Sequence, residues 1–207
     1  MTTQTHWQDV YQGKSPDEQS WYQRRPDVSL ELIDEVATGE SVRLIDVGGG
    51  ASTLVDHLLD RDRFEVTVVD IASAALEATK ERLGGRAGAV EWVVADVTEP
   101  LEMDGPFDLW HDRAVFHFLT DERDRDAYLA NLERVVAPQG RLVMSTFAPW
   151  GPETCSGLPV RRYSPESLGE ELGRGWRLVD SRREEHQTPW GGTQAFIYGV
   201  FERAAET

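Results

Sequence analysis

Apolar positions along this chain alternate between short continuous runs and spaced stripes. Val42 to Val47 is such a run and ends in Gly48-Gly49-Gly50. Ser52 to Leu59 follows, with Leu54, Val55, Leu58 and Leu59 on one helical face, so the local pattern predicts strand, glycine turn, helix. Glu65 to Val69 is a second β-branched run ending at Asp70, and Ser73 to Leu83 reads as a helix with Ser73 as N-cap and Gly84-Gly85 as its stop. Val90 to Val94 gives a third strand ending at Ala95-Asp96, and Phe107 to His111 a fourth. Glu122 to Val136 is a long amphipathic helix, Pro138-Gln139-Gly140 a turn, and Arg141 to Phe147 a fifth strand. Before this series, Pro26 opens a helix over Asp27 to Ala37. After it come a Gly/Pro-rich loop from Ala148 to Arg162, a short helix from Pro165 to Leu172 capped by Ser164, and two strands, Trp176 to Gln187 and Gln194 to Glu202.

Strands alternating with helices predict an α/β fold: a doubly wound, mostly parallel sheet with helices on both faces, closed by an antiparallel C-terminal pair. Nothing in the pattern forces a boundary, so residues 1–207 are expected to form one domain. Within it, 1–40 form an N-terminal flap and helix, 41–147 the core, and 148–207 a loop, helix and closing strands. The lead-in from His6 to Pro26 is polar but interleaved with Trp7, Tyr11, Trp21 and Tyr22, a composition that suits a flap packed on another surface.

Charge narrows the partners. Acids outnumber bases 37 to 21, for a net charge of −16, which disfavours nucleic acid, whose binding rests on Lys and Arg displacing phosphate counterions. No apolar run reaches the ~20 residues a membrane span needs, and Met1 to Tyr11 lacks an apolar signal core, so a cytoplasmic protein is the expectation. Cys155 is the single cysteine, and the five histidines are scattered without metal-ligand spacing, so no metal is expected.

The chemistry gathers where strands end. The glycine turn lets backbone N–H groups approach a ligand closely. It is led by an acid, in the pattern Asp46-x-Gly48-x-Gly50-x-Ser52, and Thr53 stands where a dinucleotide-binding turn would have its third glycine. A carboxylate at Asp46 is a poor neighbour for a pyrophosphate and a good one for an ammonium group. Asp70, at the second strand end, is placed to accept both hydroxyls of a ribose, and Asp96, at the third, to accept from an exocyclic amine. Ile71 and Val97 follow these acids and can sandwich a flat ring.

With Leu44 to Ser52, Val68 to Ile71, Ala95-Asp96-Val97, Phe107 to Trp110 and Pro138 to Leu142 taken together, the chain resembles the class I, Rossmann-like methyltransferases over residues 42–147. That resemblance implies a seven-stranded sheet with a reversed last hairpin and S-adenosyl-L-methionine as cofactor, with S-adenosyl-L-homocysteine as product. It implies that Asp46 and the turn of Gly48, Gly49 and Gly50 hold the methionine portion, with Ser52 among the cofactor-binding residues, although the family varies at Gly49. Asp70 would bind the ribose, Asp96 with Val97 the adenine, and Asp112 would line the methionine end, with Ile71 also among the cofactor-binding residues.

The stretch Trp110 to Leu119 lies beside the implied methyl group. His117 or His111 is a candidate general base, because an unperturbed imidazole titrates near neutrality. Trp21 and Tyr22 either close over the cofactor, where an aromatic face suits a sulfonium, or anchor the N-terminal segment. Arg161 and Arg162 either bind a carboxylate substrate or cover the surface, and nothing near Cys155 lowers its pKa. A short chain without an appended recognition domain favours a small-molecule acceptor (a thiol, amine, hydroxyl or metalloid). A protein lysine acceptor and a binding module of the same fold without turnover are the alternatives.

Overall fold

The computed structural model describes residues 3–13 and 15–204. In chain order it contains α1 (Thr3–Gly13), α2 (Asp27–Val36), β1 (Val42–Val47), α3 (Leu54–Leu58), β2 (Phe64–Asp70), α4 (Ser73–Leu83), β3 (Val90–Val94) and β4 (Phe107–Arg113). Then follow α5 (Glu122–Val135), β5 (Val136–Phe147), the short strands β6 (Thr154–Cys155) and β7 (Leu158–Pro159), α6 (Pro165–Leu172), β8 (Trp176–Gln187) and β9 (Thr193–Arg203). Seven strands form one sheet in the order β3-β2-β1-β4-β5-β9-β8, and β6 and β7 pair separately. Strands β1 to β5 run parallel; β9 is antiparallel to both β5 and β8. Order reverses between β1 and β4, which opens a crevice at their carboxyl ends, the usual ligand position in open α/β sheets.

Period-two alternation divides the strands between two cores. Ile45, Trp110 and Leu142 face one side, against Tyr128 and Leu132 of α5 and Leu168 of α6. Leu44, Leu109 and Val143 face the other, against Leu30 and Ile33 of α2, Val55 of α3 and Leu76 of α4. Among the described residues, no helix is long and apolar enough to cross a membrane.

Four departures from the sequence reading bear on the site. The lead-in contains a helix, α1, with none of its residues fully buried. Its only large apolar side chains on one face are Trp7 and Tyr11, too few to register as helical periodicity. Second, α4 begins at Ser73 with Ala72 as its cap residue, and Gln8 Oε1 of α1 accepts from the Ala74 N–H at 3.3 Å. The capping acceptor therefore comes from another helix, not from Ser73. Third, β4 continues to Arg113, two residues beyond the expected end. Fourth, Val136 opens β5 instead of closing α5, and the Pro138-Gln139-Gly140 turn survives as an irregularity inside β5. There Phe107 is opposite Val136 while Leu109 is opposite Arg141.

Candidate active site

A cavity of about 390 Å³ runs along the carboxyl edge of the sheet from β3 to β9, within the ordinary size range of small-molecule sites. Gly48, Asp70, Ile71, Asp96 and Val97 line one half. Arg113, Phe196 and Cys155 line the other, and Trp7, Tyr11, Trp21 and Phe118 also face it. A recess of about 40 Å³ adjoins it, sharing Gly48, Trp21 and Arg113, and is lined further by Asp46, Gly49, Ser52 and His111.

The glycine turn is fixed by close packing. Gly48 has φ +66°, a left-handed conformation costly to other residues, and a Cβ there would lie 2.0 Å from Val115 Cγ2. A Cβ on Gly49 would meet Asp46 Oδ2 at 2.2 Å. Gly50 lines neither space; its N–H donates to Asp70 Oδ2 at 3.1 Å, and a Cβ there would strike the same oxygen at 2.4 Å. Because α3 starts only at Leu54 and has five residues, the turn's influence comes from these contacts and little from a helix dipole.

Asp70 is 5% exposed, and its other oxygen accepts from the Ala72 N–H at 2.8 Å. Burial pushes its carboxyl up to about 6 against those backbone N–H groups, yet each oxygen keeps acceptor capacity toward the cavity. Asp96 Oδ1 accepts from the Thr98 N–H at 2.9 Å and its hydroxyl at 2.7 Å, which holds the half-buried carboxylate at the cavity wall beside Val97. Asp46 Oδ1 lies 2.7 Å from His111 Nδ1, whereas its Oδ2 is buried without a partner. An unpartnered buried carboxylate oxygen beside a recess fits a cationic group.

Two expectations are corrected by side-chain direction. Asp112 does not line the cavity. It is fully buried on the α5 side, accepting from Val115 N–H at 2.9 Å, Phe116 N–H at 3.1 Å and Tyr128 O–H at 2.6 Å. Burial pushes its carboxyl up to about 6. It shapes the site at one remove, by holding the turn in which Ala114 has φ +72° and lines the cavity. Nor does either histidine face the cavity as a free base. His111 is clamped between Asp46 and Ser29, whose Oγ is 3.0 Å from Nε2. His117 is fully buried, edge-on to Phe118 and tilted against Phe147, and accepts weakly from the Phe147 N–H at 3.4 Å. Burial, and secondarily the Arg113 charge, lower it to about 3, so it is neutral and a feeble base at pH 7.

This makes His117 a stability element with a defined pH signature. Its folded pKa lies below the unfolded value of 6.5, so its contribution is present above pH 6.5 and is lost as pH falls toward 3. At pH 5 the loss is about 2 kcal/mol. Asp70 and Asp112, with raised folded values, act in the opposite sense over the same range. His117→Phe should therefore lose about 2 kcal/mol less than the parent between pH 7 and pH 5 in urea unfolding, with ligand affinity unchanged. Parallel losses in the two proteins would contradict this role.

Arg113 was missed by the sequence reading, as was the helix carrying Trp7 and Tyr11. Arg113 Nε donates to Tyr198 Oη at 3.0 Å, one terminal nitrogen to the Trp21 carbonyl at 3.1 Å, and the other to Glu184 at 3.4 Å. Period-two spacing from His111 was the signal that would have found it. Trp21 lines both spaces and Tyr22 the recess alone. Trp7 packs edge-on against Phe118 at 4.9 Å and Trp21 at 6.0 Å, so the flap is a roof of rings. Arg161 pairs with Glu171 at 3.3 Å and Arg162 with Glu153 at 2.9 Å, and neither lines the cavity. Burial raises both the Cys155 thiol and the Tyr11 phenol, leaving them neutral at the cavity wall.

The strand order, the glycine turn and the acids at the ends of β2 and β3 together define the class I methyltransferase fold. Residues 45–142, just under half of the chain, match the family model of a methyltransferase domain. It is 28% identical over 115 residues to nodulation protein S of Rhizobium tropici, covering 56% of this chain and 47% of that protein. It is 24% identical over 174 residues to the eEF1A lysine and N-terminal methyltransferase of Mus musculus, covering 84% of this chain and 24% of that one. The chain thus spans about half the length of the first relative and about a quarter of the second. Among solved structures, the N-methyltransferase NodS of Bradyrhizobium japonicum, in complex with S-adenosylhomocysteine, has the same fold. The TM-score is 0.71 at 16% identity, over 95% of this chain and 97% of that one.

Proposed function

We propose that the chain is an S-adenosylmethionine-dependent methyltransferase acting on a small-molecule acceptor. The observation that carries the reading is the cavity's divided lining, with carboxylates and a glycine turn in one half and aromatic and apolar groups around Arg113 in the other. The unpartnered buried oxygen of Asp46 supports it, since the methionine end of this cofactor carries an ammonium. The match of residues 45–142 to a methyltransferase-domain model and the cofactor product bound in NodS agree with this reading.

In this reading Asp70 accepts the ribose hydroxyls, Asp96 accepts from the adenine amine, and Ile71 and Val97 flank the ring. Asp46, with His111 orienting its carboxylate, and the backbone at Gly48 and Gly49 hold the methionine end, Ser52 borders it, and Gly50 acts through the Asp70 carboxylate to which its N–H donates. Trp21 sets an aromatic face against the cation. When bound, the cofactor supplies an activated methyl group, so orientation and exclusion of water are the chain's main contributions. Among the described residues no histidine faces the cavity, and the acceptor enters with its nucleophilic pair already free.

Incubation with S-adenosylmethionine labelled in the methyl group, against a panel of small thiols, phenols and amines and against lysine-rich protein, tests the assignment. Label should pass to a small molecule. Transfer to protein alone would move the acceptor to a lysine side chain, and cofactor binding with no transfer to any acceptor would favour a binding module.

A further inference from the structure

Arg113, at the end of β4, is the sole cationic side chain lining the cavity among the described residues; of the acids there, Asp70 and Asp96 stand at the ends of β2 and β3, and Asp124 lies on α5. We infer that the half beneath Arg113 receives an anionic nucleophile, a thiolate or phenolate on a flat apolar body; this rests on the methyltransferase reading above.

Three features support the inference. First, Arg113 is built in, with its side chain 11% exposed and its guanidinium carbon 4.5 Å from the centre of the Phe196 ring, which itself lines the cavity. Three of its five N–H donors are engaged, by Tyr198, Trp21 and Glu184, which leaves two for a ligand. Second, its counter-ion does not line the cavity. Glu184 is held by Gln23 Nε2 at 2.6 Å and Tyr198 Oη at 3.0 Å, so a ligand meets the cation and not the carboxylate. The other titratable groups packed around Arg113 are neutral: burial lowers His117 and His186 and raises Tyr198 and Cys155. Third, Leu158, Pro159 and the Trp7 and Phe118 rings give the cavity apolar surface, which suits a flat body.

The chemistry is consistent with this polarity. The acceptor loses its proton to water before transfer, its lone pair forms the new bond to the methyl carbon, and the carbon–sulfonium bond breaks with its electron pair remaining on sulfur. An anion and a cation become two neutral products, so a dry cavity favours the step once Arg113 has offset the cost of desolvating the anion. An ammonium acceptor would instead meet a like charge.

Titration calorimetry of the S-adenosylhomocysteine complex with two probes of similar size, benzenethiol at a pH where it is ionised and benzylamine, tests the inference. The thiolate should bind at least about tenfold more tightly, the scale of one charge-assisted hydrogen bond. Compared at saturating S-adenosylhomocysteine, because Arg113 also borders the recess, Arg113→Gln should erase that preference and Arg113→Lys should keep part of it. Should the glutamine variant not fold, the wild-type preference and the lysine variant decide. Equal or tighter benzylamine binding in the wild type, or an undiminished preference in Arg113→Gln, would overturn the inference and leave the cofactor site standing. A protein that fails to bind S-adenosylhomocysteine at all would overturn the cofactor reading and this inference with it.

Discussion

Replacing Asp70 by alanine should lower affinity for S-adenosylhomocysteine by at least tenfold, and toward ~10³-fold, while the protein stays folded. Two ribose hydroxyls donating to a carboxylate are charge-assisted bonds of about 1.5–3 kcal/mol each. The fold should survive because Asp70 does not stabilise it at pH 7. Its folded pKa of about 6 lies above the ordinary value of 3.8, so whatever it contributes is present below pH 3.8 and lost as pH rises through 6. At neutral pH, keeping it ionised in this site costs about 3 kcal/mol by that shift, and alanine removes both that cost and the acceptors for Gly50 and Ala72. The same pKa predicts a pH signature. Wild-type affinity should fall as pH drops below about 6, when the carboxylate takes up a proton and one acceptor becomes a donor. The alanine variant should be flat over that range. Calorimetry between pH 5 and 8 reads both effects, and a persisting slope in the variant would shift the titration to another group, Asp112 being the nearest in value.

Gly48→Ala should be the most damaging single methyl added to the chain, costing about 2–4 kcal/mol of stability and at least tenfold in cofactor affinity. Part of the cost is conformational, since an L-residue in the left-handed region pays about 1–2 kcal/mol. The rest is steric, because the new methyl would stand 2.0 Å from Val115 Cγ2, and Val115 cannot retreat freely. Its N–H is tied to Asp112, and that carboxylate also holds Phe116 and Tyr128. The displaced turn carries Ala114 and Val115, both on the cavity wall. Val115→Ala removes the opposing methyl and should restore part of the loss, so a double-mutant cycle in urea should show coupling of about 1 kcal/mol or more. Additive effects would mean that the backbone conformation alone carries the cost.

Much of the frame was legible because it is written in continuous apolar runs. β1, α4, β3, α6 and β8 have the expected bounds, and the acids that end β2 and follow β3 could be read as an edge because parallel strands align their carboxyl ends. Side-chain direction beyond a strand end was not legible. Once β4 is seen to run through Arg113, alternation puts Trp110 and Asp112 toward α5, and His111 and Arg113 toward Ser29 and Tyr198. Reading the strand as ending at His111 hid this, so Asp112 was given to the cofactor and Arg113 was passed over. The helix α1 was hidden for a different reason. Its sequence has no apolar stripe, and its ordering rests on distant partners: Trp21, Phe118, and the start of α4 that Gln8 caps. His117 was misread as a base because spacing in sequence carries no information about burial.

The central claim is that the carboxyl edge of this sheet is an S-adenosylmethionine site. Titration calorimetry of the unmodified chain with S-adenosylhomocysteine and, separately, with NAD tests it most directly. The account predicts one-to-one binding of S-adenosylhomocysteine, weakened at pH 5 relative to pH 7, and no heat from NAD. Saturable NAD binding with no response to S-adenosylhomocysteine would contradict it.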